Sequence, residues 1–233
     1  DALVDSHESA FGWSARHLPG KKQRAYSIRV WFMGSLLWES GFVPSVIPFA
    51  RHQIANLPSG ANLTWDLQLK DDEGEVSQVA TGSFKTACLE NWEGQWICDP
   101  QETEADHHGL YFFKNFDLEQ MPVRAALFHC GLGLDQAFVN GVSTNPYRLQ
   151  PAYTNYPRRA LYITDIIDVQ QLHLGKNALA FAVAGGWRKN TGYYLENMST
   201  DRKIEFLGNM CLNAQLVLYF ADGTQVRLKE FSL

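Results

Sequence analysis

The feature that most constrains this chain is a hydrophobic period of two. In residues 24–32 (RAYSIRVWF), Tyr26, Ile28, Val30 and Phe32 are all apolar, whereas Ala25, Ser27, Arg29 and Trp31 are mixed. Residues 63–69 (LTWDLQL) repeat the pattern with Leu63, Trp65, Leu67 and Leu69 on one side. Side chains alternate across a strand, so each segment offers one face to a core. No long segment carries a 3.6-residue period, and residues 164–172 hold at most one or two helical turns. Asp71-Asp72-Glu73-Gly74 turns the chain into a partner strand over residues 76–84. Three prolines, Pro44, Pro48 and Pro58, make residues 41–58 read as loop.

Further strands are expected over residues 110–116, 124–130 and 178–183, the last an apolar run (ALAFAV) that reads as a buried strand. Asn140-Gly141, flanked by Phe138, Val139 and Val142, is a two-residue hairpin signal. The clearest hairpin joins residues 214–220 to 226–231 through Asp222-Gly223. Short strands with regular turn signals indicate sandwiches. The expected fold is all-β: a fibronectin III- or immunoglobulin-like sandwich over residues 1–88, then a larger jelly-roll, galactose-binding-like sandwich over 89–233. The acidic stretch of residues 89–108, with Trp92 and Trp96 in its middle, reads as the linker between them. Burial of those two tryptophans would pack the domains together.

Composition narrows the function classes. The formal charge is −5, and no basic cluster exceeds Lys21, Lys22 and Arg24, which argues against a phosphate-reading nucleic-acid partner. No run approaches the ~18 apolar residues of a membrane span. The first ten residues are acidic and polar, unlike a secretory signal; the compartment stays open, with a lean to the cytoplasm. Cys88, Cys98, Cys130 and Cys211 lie beside apolar neighbours and have no C-x-x-C spacing, so they read as buried free thiols rather than bridges.

Chemistry-bearing motifs are few. His107-His108 lies beside Glu104 and Asp106, but adjacent strand residues point apart, so no metal is expected. No cofactor loop or nucleophile elbow appears, and Gly131-Leu132-Gly133 reads as a turn or bulge. Asp165, Asp168, Glu196 and Asp201 are the carboxylates available for a hydrolytic pair, but nothing places two of them across a cleft. Aromatic residues make up 13% of the chain, an excess that either fills sandwich cores or paves a sugar-binding surface, with packing the default reading. Two clusters set aromatics among polar groups: residues 153–159, with Tyr153, Tyr156 and Arg158, and residues 185–188, with Trp187. These four are the candidate carbohydrate contacts.

The order of segments also resembles a known family. Residues 23–30 (QRAYSIRV) followed by 37–43 (LWESGFV) are similar to the first strands of bacterial α-L-rhamnosidases, with Glu39 where Asp is usual. Trp92 and Trp96-Ile97 are similar to that family's W-x-A-x-W-I junction. Phe138-Val139-Asn140-Gly141, residues 149–156 (LQPAYTNY), Tyr162-Ile163-Thr164-Asp165 and residues 174–179 (LGKNAL) continue the match, with Ala152, Tyr153 and Asn155 as departures. The resemblance implies an N-terminal, non-catalytic fragment of a rhamnosidase-like glycoside hydrolase. Its partners would be its own downstream barrel domain, which carries the catalytic carboxylates, and a rhamnose-containing glycan. The alternatives are a stand-alone carbohydrate-binding module or a β-sandwich interaction module.

Overall fold

The computed structural model describes residues 2–14, 20–103, 108–155, 158–186, 188–189, 208–229 and 231. The chain divides into two compact units, Asp1–Asn91 and Trp92–Leu233. Both are built from strands, and the only helical element among the described residues is a single 3-10 turn, Val169–Gln171.

The first unit holds β1 (Ala2–Val4), β2 (Glu8–Gly12), β3 (Gln23–Phe32), β4 (Ser35–Pro44), β5 (Phe49–Gln53), β6 (Asn62–Asp71) and β7 (Ala80–Thr86). Five strands form a sheet in the order β1-β7-β6-β3-β4, and β2 pairs with β5 in a second, small sheet. The alternation expected of β3 and β6 is what fills the core: Tyr26, Ile28, Val30, Leu63, Leu67 and Leu69 pack with Phe11, Ile54 and Phe84. Trp65 joins from the margin, its ring 5.1 Å from that of Phe11. Residues 41–58 are less loop-like than their prolines suggest. β4 runs through to Pro44 and β5 begins right after Pro48, because β4 is an edge strand, where a missing N–H is tolerated. Met33 and Gly34, both at positive φ, close the tight β3–β4 hairpin.

The second unit holds β8 (Ile97–Cys98), β9 (Leu110–Leu118), β10 (Arg124–Leu132), β11 (Leu134–Val139), β12 (Val142–Ser143), β13 (Ile163–Ile167), β14 (Gly175–Ala184), β15 (Cys211–Tyr219) and β16 (Gln225–Leu228). One sheet runs β13-β10-β15-β16 with β8 added beside β15; the other runs β12-β11-β14-β9. Their facing sides bury Phe112, Leu127, Val139, Leu179, Phe181, Leu212, Leu216 and Leu218. β14 is the buried strand its apolar run suggested, more deeply on one face than on the other. Leu179, Phe181 and Val183 point inward, and Ala178, Ala180 and Ala182 form a half-buried outer face. Asn140-Gly141 makes the β11–β12 turn with both residues at positive φ, and Gly223 turns β15 into β16.

Within the acidic stretch, Glu102 is tied down rather than solvated. The Glu102 carboxylate is buried against the Lys189 ammonium at 2.7 Å and accepts the Met210 N–H at 2.8 Å. The expectation of four free thiols is also corrected. Cys98 and Cys211 are disulfide-bonded, while Cys88 and Cys130 remain free. Their antiparallel pairing places the two Cα atoms 4.4 Å apart, within bridging reach, across a sequence gap of 113 residues.

Candidate functional site

Register dictates the centre of the second unit. On β10, Ala125 and Leu127 face the core, so alternation turns His129 inward as well. A buried imidazole must find partners, because an unmet polar group there costs about 1–3 kcal/mol. β11 supplies Asp135, whose Oδ1 lies 2.6 Å from His129 Nδ1, and β13 supplies Asp165, whose Oδ2 lies 3.2 Å from Nε2. The ring therefore links the two sheets through both nitrogens. Asp135 also accepts the Gly131 N–H. Asp165 accepts from the Thr144 hydroxyl and from Asn145 Nδ2 at 2.8 Å and 3.0 Å.

Burial alone would drive the proton off His129. The charge and hydrogen bond of Asp135, then those of Asp165, outweigh it and lift the imidazole to about 10, so the ring is a cation at neutral pH. For Asp165 burial again opposes ionisation, but His129, Thr144 and Asn145 together hold the carboxyl below its usual range. The side chains of the three residues are 1%, 0% and 4% exposed, respectively. No substrate reaches them, so this constellation braces the fold and does no chemistry on a ligand. Cys130 beside it is inert as a nucleophile: burial, reinforced by the Asp135 charge, pushes its thiol up to about 12.

What the network supports is the loop that follows β12. With Thr144 and Asn145 fastened to Asp165, Asn145 Oδ1 accepts the Tyr147 N–H at 3.0 Å. Arg148 Nη1 reaches Gln136 Oε1 at 2.7 Å, and the Asp135 N–H donates to the Gln150 carbonyl at 2.6 Å. Between these anchors Tyr147 and Leu149 stand 62% and 77% exposed, and Leu149 sits at φ 59°. A leucine in the left-handed region is uncommon, and the surrounding hydrogen bonds hold it there.

Of the candidate carbohydrate contacts, Tyr153 is 62% exposed on this loop, and Arg158 is exposed with its N–H on the Asn155 carbonyl at 2.8 Å. Tyr156 and Trp187 lie outside the described residues. Trp92 packs within the second unit, its Nε1 donating to Asn213 at 2.8 Å and its ring 5.2 Å from Tyr162. Trp96 is 46% exposed. Among the carboxylates, Asp165 belongs to the buried network and Asp168 caps the 3-10 turn through Gln170 N; Glu196 and Asp201 lie outside the described residues. His129 was not singled out from the sequence, although a polar residue in phase with Ala125 and Leu127 marks an inward position that needs partners. One group of carboxylates in the first unit, Asp71, Glu73 and Glu75, lies close enough together to share a cation. Lys21 Nζ is 2.8–3.1 Å from each of them and supplies the positive charge itself.

The two units have the folds of modules found in multidomain glycoside hydrolases. Residues 2–90 match the family described as Rha78A-like, N-terminal immunoglobulin domain, and residues 120–230 match the alpha-L-rhamnosidase N-terminal domain. An alpha-L-rhamnosidase of Formosa agariphila is 24% identical over 95% of this chain and 27% of its own length. One of Streptomyces avermitilis is 34% identical over 45% of this chain and 10% of its own. The solved structures of alpha-L-rhamnosidases from Dictyoglumus thermophilum and Aspergillus terreus superpose with TM-scores of 0.75 and 0.73, at 22% and 21% identity. They cover 99% and 98% of this chain, which spans 28% and 27% of theirs. The chain thus resembles the N-terminal region of alpha-L-rhamnosidases, which are larger proteins, over both of its domains.

Proposed function

We propose that this chain is the accessory, non-catalytic sandwich pair of an α-L-rhamnosidase-type glycoside hydrolase, supporting and orienting a catalytic domain. The observation that carries the reading is the match of both units, in chain order, to N-terminal domains of rhamnosidases that are nearly four times as long. It is consistent with the buried His129–Asp165 network, whose ionisable groups serve packing. Inverting or retaining hydrolysis needs two carboxyl groups facing one glycosidic bond. Among the described residues, the carboxylates of the second unit singled out above are spent on a buried ion pair and a turn cap. Incubation with an aryl α-L-rhamnoside should therefore release no aryl alcohol.

A second reading has its own observation. Tyr153 is 62% exposed beside Thr154, Asn155 and Arg158, the mixture of one aromatic face and several hydrogen-bonding groups that sugar rings use. Together with Tyr156 and Trp187 it would form a carbohydrate-binding platform for the accessory pair. Titration of the chain with L-rhamnose, repeated on Tyr153→Ala, tests that platform.

A further inference from the structure

We propose that the β12–β13 loop, which exposes Tyr147, Arg148, Tyr153, Arg158 and Arg159, binds an anionic glycan, one whose rings carry carboxylate or sulfate groups. The inference rests on the platform reading above and names its ligand class. Charge distribution carries it first. Residues 141–164 contain three arginines and no aspartate or glutamate, in a chain with five more acidic than basic side chains. The two carboxylates that anchor the loop from beneath, Asp135 and Asp165, are buried and engaged by His129. The loop is therefore a positively charged segment of an acidic chain.

Its shape and chemistry suit a sugar acid. Guanidinium groups present paired donors that match the geometry of a carboxylate or sulfate, and Arg148, Arg158 and Arg159 are all exposed. Tyr147 and Tyr153, each 62% exposed, offer faces for the apolar side of a pyranose ring. Thr154 and Asn155 add hydroxyl and amide partners for ring hydroxyls. The loop is also held in advance of any ligand. Thr144 and Asn145 are fixed to Asp165, Arg148 to Gln136, and Thr154 Oγ1 donates to the Arg159 carbonyl at 2.8 Å. A preorganised site gives up less entropy on binding. An acidic protein face is the competing occupant, and the test below separates it from a glycan.

The test titrates the 233-residue chain with digalacturonate, with a neutral disaccharide, with L-rhamnose and with a tetraglutamate peptide, at low and raised salt. Digalacturonate should bind at least about tenfold more tightly than the neutral sugars, and more weakly as salt rises. The R158Q/R159Q double variant, whose exposed side chains leave folding intact, should weaken it by about tenfold or more. An equal affinity for the neutral disaccharide, lost in Tyr153→Ala, would keep the platform and overturn the anionic preference. Heat from none of the sugars would overturn both. Binding of tetraglutamate but not digalacturonate would assign the face to an acidic protein, and binding that survives the double variant would place the site elsewhere; either overturns the proposal.

Discussion

His129 ties the two sheets of the second unit together. It is a cation inside a sandwich core, joined to a carboxylate from each sheet. Replacing it with leucine keeps the volume roughly constant but strands Asp135 and Asp165 as two like charges in the interior. Loss of one partner from a buried ion pair costs about 3–5 kcal/mol, so His129→Leu should lower the unfolding free energy by that order in a denaturant titration. The pH dependence follows from the same shifts. His129 is raised in the folded state, so its stabilisation is complete below its unfolded value near 6.5 and fades as pH climbs toward about 10. Asp165 is lowered, so its share is present above the ordinary aspartate value and fades as pH falls. The Tm difference between parent and His129→Leu should be largest in mildly acidic buffer and shrink at strongly alkaline pH. A flat difference would mean the ring is neutral in the fold.

At the scale of elements, strand periodicity was the legible part. The inward faces of β3 and β6, the Asn140-Gly141 hairpin and the β15–β16 hairpin follow from alternation and turn chemistry, which are local. What stayed hidden depends on residues meeting from far apart. The Cys98–Cys211 bridge requires β8 to be recognised as a two-residue strand beside β15, and no local pattern marks it. Glu102 meeting Lys189 across 87 positions is the same kind of fact. Of the four candidate sugar contacts, Tyr153 and Arg158 are exposed. Tyr147 and Leu149 were not singled out because nothing local announces the anchoring of Thr144 and Asn145 beneath them.

Two outcomes test the elements. Denatured but unreduced protein should titrate two thiols, Cys88 and Cys130, and four after reduction; four at the start would remove the bridge. Gly133, between β10 and β11, has φ 130° and no room, since an added Cβ would lie 2.2 Å from the Ala184 carbonyl oxygen. Gly133→Ala should destabilise the second unit by about 1–3 kcal/mol, read from its denaturant midpoint.

At the scale of the whole molecule, two sandwiches follow one another along the chain, each with its own core. In the second, His129, Asp135 and Asp165 lock sheets and a loop from inside, while the β12–β13 loop exposes tyrosine, amide and guanidinium groups. On the reading proposed above, the pair holds a partner or a glycan in place and leaves proton transfer at a glycosidic bond to a catalytic domain. The resemblance to a region that makes up 27–28% of full rhamnosidases agrees with this division of labour. The most direct measurement is the rate of aryl α-L-rhamnoside hydrolysis by the purified chain, run beside a full-length alpha-L-rhamnosidase. A rate at the no-enzyme background fits an accessory pair; saturable turnover by this chain alone would contradict it.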